Sequence, residues 1–310
     1  MTVWSVASSS IDVKPNFQGF GDLVNRQTPL IQTFQAFGRV NPAAGFPVVW
    51  NVYTAAATAA DVAEGVDIST FYYQAESGAS LPVVAKYVPV RLGAVMKANA
   101  EAGGTYDMTM ENQIMKSSED ALKALETAFC GATQDVGLQA INDSTGTYAG
   151  INQASVTTWA GAELSTISGS IHGQATSILA TLQGRGVGVS SLCAFGHPTA
   201  IRKFAASAGV SGSVTVMSPP GGGPTDAGQF PHQYKWNGIP FVPVDSLPAG
   251  DLHFLDMSDA SIEMLKGPVV ESIDGSSLDS KLAVVVMGGL KLATRNRHAK
   301  LTGCDDASAT

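Results

Sequence analysis

Hydrophobic and polar positions change their period several times along the chain. Residues 1 to 45 are broken by Pro15, Pro29 and Pro42 and by Gly19, Gly21, Gly38 and Gly45, which leaves room for one short helix. Thr28 supplies its N-cap, Pro29 its first position and Gly38 its stop. Around that helix, Trp4, Phe17, Phe20, Leu23, Phe34 and Phe37 are too much apolar surface for a disordered tail and too little for a core. The segment is expected to be an arm lying against something else. From Val48 the period becomes two: Val48, Trp50, Val52 and Thr54 alternate with Val49, Asn51 and Tyr53. The pattern resumes at Val83 to Leu92, so two strands flank an excursion of Ala, Ser, Gly and acids. An isolated hairpin is marginal in water, and this one needs a neighbour to lie on.

Thr105 to Gly131 reads as a long helix, with Met108, Ile114, Met115, Leu122, Leu125 and Phe129 on one face, Asp107 at its positive end and Gly131 as its stop. A turn region from Gly137 to Gly150 follows, then a helix from Glu163 to Leu182, a buried strand from Ser191 to Phe195 and a helix from Pro198 to Ala208. Ser218 to Gly228 (SPPGGGPTDAG) is a loop. Strands Ile239 to Val244 and Leu252 to Leu255 come next, and Val269 to Ile273 with Lys281 to Arg297 close the chain. Helices and strands in this order make an α+β fold.

Composition narrows the function. Charged residues are 14% of the 310, well below the roughly 25% of an average soluble domain, so uncharged polar residues cover surface that charge would otherwise hold. Weakly charged surface is often contact surface. The net charge of -8 excludes a general electrostatic grip on a phosphate backbone. Three cysteines without CxxC spacing give no disulfide framework and no zinc ribbon. The longest apolar run, Leu282 to Leu290, falls short of the roughly 20 residues that span a bilayer, and the first 15 residues do not read as a signal peptide.

Catalytic motifs are missing. His172, His197, His232, His253 and His298 show no metal-ligand spacing, there is no GxSxG elbow, and Ser170 and Ser258 lack an orienting carboxylate. Gly221 to Gly223 runs into Pro224 rather than a helix, so it is no phosphate cradle. No catalytic residue, cofactor or metal is expected. Two charge features remain. Lys291, Arg295 and Arg297, followed by Lys300, read as a basic row on the last strand, and Asp61, Glu64, Asp67 and Glu76 make the hairpin excursion acidic.

The segments TPLIQTFQAFGRVNPAAGFPVVW (28 to 50), GLQAIND (137 to 143), GHPTAIRKF (196 to 204) and NGIPFVPVDSLPAGDLHFLDMSD (237 to 259), with the long helix from Asp107, resemble the major capsid proteins of tailed bacteriophages, the family with the Johnson fold. The resemblance implies an N-terminal arm (1–45), an E-loop (46–92), a peripheral domain with a spine helix (93–154), an axial domain (155–258), returning peripheral strands (259–297) and a C-terminal tail (298–310). It implies a non-enzymatic virion protein, assembled in the host cytoplasm as hexamers and pentamers into an icosahedral shell around double-stranded DNA. The partners it implies are many copies of itself, non-specific DNA on the inner face, and separate scaffolding, portal and decoration proteins, with no membrane. The subunit-contact candidates are Trp50, Asp61, Glu64, Asp67, Glu76, Lys86, Arg91, Arg295, Arg297 and Lys300. Lys86 is the one lysine in the E-loop, but no acceptor asparagine matches it, so a covalent cross-link is not expected. The alternatives are an encapsulin-like compartment and, in a different class, an α+β enzyme with 218–228 as its lid.

The arm and E-loop are expected to be ordered only in the assembly, the 218–228 loop to sit at the capsomer centre, and the acidic excursion to meet a neighbour's Arg295, Arg297 and Lys300.

Overall fold

The computed structural model describes residues 27–53, 76–92, 110–164, 170–209, 214–216, 234–273 and 280–305. Helix α1 is Pro29–Ala36, starting and stopping where the sequence puts it. Its cap is not the expected one. Thr28 makes no side-chain capping bond, and Glu126 Oε2 instead accepts from the Leu30 and Ile31 amides at 2.9 and 3.3 Å. Gly38 ends the turn at φ +65, a conformation that costs glycine nothing. Strands β1 (Val40–Pro42), β2 (Val48–Tyr53), β3 (Glu76–Leu81) and β4 (Val84–Leu92) follow. Helix α2 is Met110–Cys130, and the expected start at Thr105 to Asp107 lies outside the described residues. Its buried positions include Ser117, Ala121, Leu125 and Phe129, a stripe of period four, while Met115 is exposed. The apolar face thus lies to one side of the line through Met115 and Leu122.

Next come α3 (Leu138–Ile141), β5 (Thr147–Tyr148), β6 (Ile151–Asn152) and β7 (Ala162–Leu164). Helix α4 is Ile171–Gly184, capped by Ser170 Oγ accepting from the Gly173 amide at 3.1 Å. The expected helix from Glu163 therefore begins later, because 162–164 pairs as a strand. Then come β8 (Leu192–Gly196), α5 (Pro198–Gly209), β9 (Val214–Val216), β10 (Tyr234–Trp236), β11 (Ile239–Pro243), β12 (Leu252–Asp256), β13 (Ala260–Ile273), β14 (Ser280–Leu292) and β15 (Ala299–Leu301). The 218–228 loop lies outside the described residues.

A seven-stranded sheet runs β7-β15-β12-β8-β11-β10-β9. Every residue of β8 and β12 is buried, as a strand covered on both faces requires. Ala194 joins Ile171, Ala175, Ile178 and Leu182 of α4 and Ile201 and Phe204 of α5 in one apolar cluster. Phe195 points to the other face by strand alternation, where Phe34 of α1 stacks on it at 6.0 Å. The part of the expected arm at 28–38 thus finds its cover in its own chain. Residues 298–310 were expected as a tail, yet β15 lies between β7 and β12 with Ala299, Leu301 and Cys304 fully buried. The β10–β11 turn is Asn237-Gly238 at φ 49 and 85, the two positive angles of a tight hairpin.

The hairpin near the start differs from expectation. Strand β2 pairs with β3, from Val48 opposite Leu81 to Tyr53 opposite Glu76, whereas β4 belongs to a second sheet ordered β1-β13-β14-β4. Only Ala79 and Leu81 of β3 face inward as buried apolar groups, so ESGASL carries almost no strand signal.

The chain divides into two compact units. Among the described residues one holds 27, 85–92, 110–125, 266–273 and 280–287, and the other holds the rest, including the seven-stranded sheet.

Candidate functional site

Strand β13 changes character halfway. Its residues 260–263 are buried, whereas every residue from Leu265 to Ser272 is exposed. An ordinary half-buried strand hides alternate residues, but here neither face is hidden, although Leu265, Val269 and Val270 are apolar. Strand β1 explains the change: its pairing ends with Pro42 opposite Met264, and one more bond joins the Ala43 amide to the Met264 carbonyl. Beyond Met264 no strand among the described residues lies along that edge. The β2–β3 hairpin has a similar outer face, with Val49 and Tyr53 each 65% exposed opposite Ser80 and Glu76. Tyr87 on β4 is 70% exposed. Exposed apolar side chains on strands are candidates for contact surface.

The expected basic row does not form. Strand β14 stops at Leu292 and residues Arg295–Arg297 make a 3-10 turn. The stop has a cause: Asp259 Oδ2 accepts from the Thr294 amide at 2.6 Å, and the Asp259 carbonyl accepts from the Ala293 amide. Arg295 is fully buried, and its Nη2 donates to the carbonyls of Ala140, Asp143 and Thr145 at 3.1, 2.9 and 3.3 Å. Its guanidinium also lies over the Tyr148 ring at 5.7 Å. Arg297 donates through Nε to Asp256 Oδ2 at 2.7 Å, and Nη2 lies 2.6 Å from the same oxygen. Lys300 sits on β15, 3.9 Å from Glu163 and donating to the Gln139 carbonyl. All three are held within their own chain, so none of them forms the outward row that a neighbour would meet.

The other candidates separate. Trp50 is half-buried, with Nε1 donating to the Ala293 carbonyl at 3.0 Å and Lys291 Nζ 4.9 Å from its ring centre. Glu76 pairs with Tyr53 through the backbone, and Arg91 lies within β4. Lys86 is half-buried on β4, in alternation with exposed Ala85 and Tyr87. Asp61, Glu64 and Asp67 lie outside the described residues. The exposed apolar residues that sequence reasoning did not single out are Leu265, Val269, Val270, Val49 and Tyr53. For Leu265, Val269 and Val270 the one sequence signal was an apolar strand segment interrupted by Gly267 and Pro268 rather than alternating with polar residues.

Among the described residues, His298 is committed to its neighbours. His298 accepts from the Asp256 amide at Nδ1, so Nε2 carries the proton to Asp259 Oδ2 at 3.0 Å, and no ring nitrogen is left to act on a nucleophile. Among the described residues no three His, Cys, Asp or Glu side chains gather as a metal site, and no helix is long and apolar enough to cross a membrane. All three cysteines are buried and unbridged, and burial raises the Cys193 and Cys304 thiols far above their ordinary range, the latter to about 12.

No family model matches the chain, and no curated protein matches it by sequence. Solved structures do match. A capsid asymmetric unit of cyanophage A-1(L) superposes with a TM-score of 0.68 at 15% identity, covering 92% of this chain and 94% of that one. The capsid of a native GTA particle gives 0.65 at 12%, covering 97% and 99%. The chain has the Johnson fold of tailed-phage capsid proteins. An encapsulin complex from Synechococcus elongatus shares it, with a TM-score of 0.55 at 13% identity over 97% of this chain and 96% of that one. The Johnson fold here is an α+β structure.

Proposed function

We propose that the chain is the major capsid protein of a tailed phage, building a closed icosahedral shell of hexamers and pentamers around double-stranded DNA. The observation that carries the reading is the exposed half of β13, where Leu265, Val269 and Val270 stand on a strand edge that no strand among the described residues covers. The near end-to-end match to capsid structures supports it. In this reading 46–92 is the E-loop, rooted in the β2–β3 ladder, and α2 is the spine helix of a peripheral domain at 93–154. Strands of 259–297 return to that domain. The axial domain is 155–258 together with β15, and the 218–228 loop sits at the capsomer centre. The shell is a virion component assembled in the host cytoplasm with separate scaffolding, portal and decoration proteins.

Expression of the full chain, followed by electron microscopy and nuclease treatment, tests this. The expected result is closed shells that protect double-stranded DNA when filled in infected cells. Shells that enclose only protein cargo would move the reading to an encapsulin-like compartment, and a monomer under all conditions would overturn it.

A further inference from the structure

The expected hairpin of 48–54 with 83–92 was to find its support in a neighbour, yet the root of the β2–β3 hairpin that forms instead is fastened to its own subunit at several points. Trp50 Nε1 donates to the Ala293 carbonyl at 3.0 Å, and Lys291 Nζ lies 4.9 Å from the centre of the indole. Tyr148 meets the same ring at 6.5 Å, its own hydroxyl accepting from the Leu292 amide at 2.9 Å. On the second strand the Ser80 amide donates to the Ala149 carbonyl at 3.0 Å. Leu81 enters a place that Gly289 leaves open, where a Cβ would lie 2.8 Å from Leu81 Cδ2.

From this geometry we infer that Trp50 is a positioning residue. It pins the hairpin to the end of β14 and so fixes, before any partner arrives, the direction in which the hairpin leaves the subunit. The hairpin presents Val49 and Tyr53 on its far side, and a two-stranded ribbon alone would not hold a direction. The indole suits the task because one side chain supplies a hydrogen-bond donor, an apolar plate and a face for a cation. Its N–H meets a carbonyl just past the end of β14, on a segment that Asp259 holds through the Ala293 and Thr294 amides. A preset direction removes part of the ordering cost of assembly. For the role of the hairpin in assembly the inference rests on the shell reading, but the pin itself belongs to the single subunit.

Hydrogen exchange on the full chain held as free subunits tests it. Trp50→Phe keeps a ring but loses the donor, and Lys291→Met keeps the stem but loses the charge. Each is expected to speed exchange at 48–53 and 76–81 about tenfold while leaving 192–196 and 252–256 unchanged, and the double variant is expected to exceed either alone. Unchanged hairpin exchange in both single variants would overturn the pin, because the β2–β3 ladder would then hold the root unaided. Faster exchange throughout the seven-stranded sheet would also overturn it, since Trp50 would then serve general stability. Whether the unaltered chain forms shells is a separate measurement, so failure of the shell reading leaves this outcome readable.

Discussion

Arg295 carries its charge into the interior and meets backbone there. Its donors gather the carbonyls of Ala140, Asp143 and Thr145, and burial pulls the guanidinium down to about 10, still charged at neutral pH. Arg295→Met should therefore cost the free subunit about 2–4 kcal/mol, because carbonyls gathered around a cation lose it together. Arg295→Lys should recover only part of the loss, since an ammonium on a shorter stem cannot lie as a plate over the Tyr148 ring. Thermal unfolding of both variants checks this, and loss equal to that of a surface lysine substitution would refute it. Reversing this charge would report on folding, so it cannot serve as an assembly test. His253 gives a second expectation. It is fully buried, and burial first, then Lys300, lowers it to about 3. Its folded value lies below its unfolded one, so the stability it contributes is present above about pH 6.5 and is lost as pH falls toward 3, by about 1.4 kcal/mol per unit. His253→Gln should flatten the acid limb of the stability profile by one proton, whatever it does to stability at pH 8. An unchanged slope would show that other groups set the acid limb.

Among the elements, α1 shows what long-range contacts add to a local signal. Pro29 and Gly38 marked its ends in the sequence, while its cap comes from Glu126, nearly a hundred positions away. Glu126→Gln keeps an acceptor but loses the charge that complements the helix N-terminus, with an expected cost of about 1 kcal/mol. Glu126→Ala should cost about 2 kcal/mol and speed exchange of the Leu30 and Ile31 amides, and unchanged exchange there would refute the cap. Elements with a strong local signature were legible: β8 as a short apolar run, α5 behind Pro198, and the 239–243 and 252–256 strands. Those that depend on distant partners were not. Strand β3 has two buried apolar residues, and β7 and β15 are three residues each, strands only because they pair with each other and with β12. Strand β14 ends at Leu292 because Asp259 takes the next amides, so the basic row read from odd spacing never had a strand to stand on. The apolar surface was legible in kind, as low charge and unpartnered hairpin residues, but its position on β13 depends on where β1 stops.

At the scale of the whole molecule, the force that would join subunits follows from which side chains are left over. Arg295 is buried, and the partly exposed Arg297 and Lys300 are engaged by Asp256 and by Glu163 with the Gln139 carbonyl, so these three are committed within their own chain rather than to the acidic excursion. Beside the exposed Lys266–Glu271 pair, which is closed on itself, the apolar side chains left exposed include Leu265, Val269 and Val270 on β13, Val49 and Tyr53 on the hairpin and Tyr87 on β4. Contacts built from these residues gain from water release, roughly 1 kcal/mol for each of Val269 and Val270, which still expose 42 and 41% of their surface. Contacts built from exposed ion pairs would gain about 0–1 kcal/mol each and lose it to screening. The two origins respond oppositely to salt. Apolar contacts strengthen in sulfate, which is excluded from protein surface, whereas charge pairing weakens as ionic strength rises. Assembly is therefore expected to proceed at lower subunit concentration in sulfate, measured by light scattering. Val269→Asp with Val270→Asp should raise the assembly threshold at least tenfold while lowering the melting temperature of the free subunit by only a few degrees, because both valines already expose about two fifths of their surface there. Val269→Thr with Val270→Thr keeps the branched shape and should fall between. If the aspartate pair assembled at the threshold of the unaltered chain, the open half of β13 would not be a contact. If sulfate raised the threshold instead, charge rather than apolar burial would be what holds the subunits together.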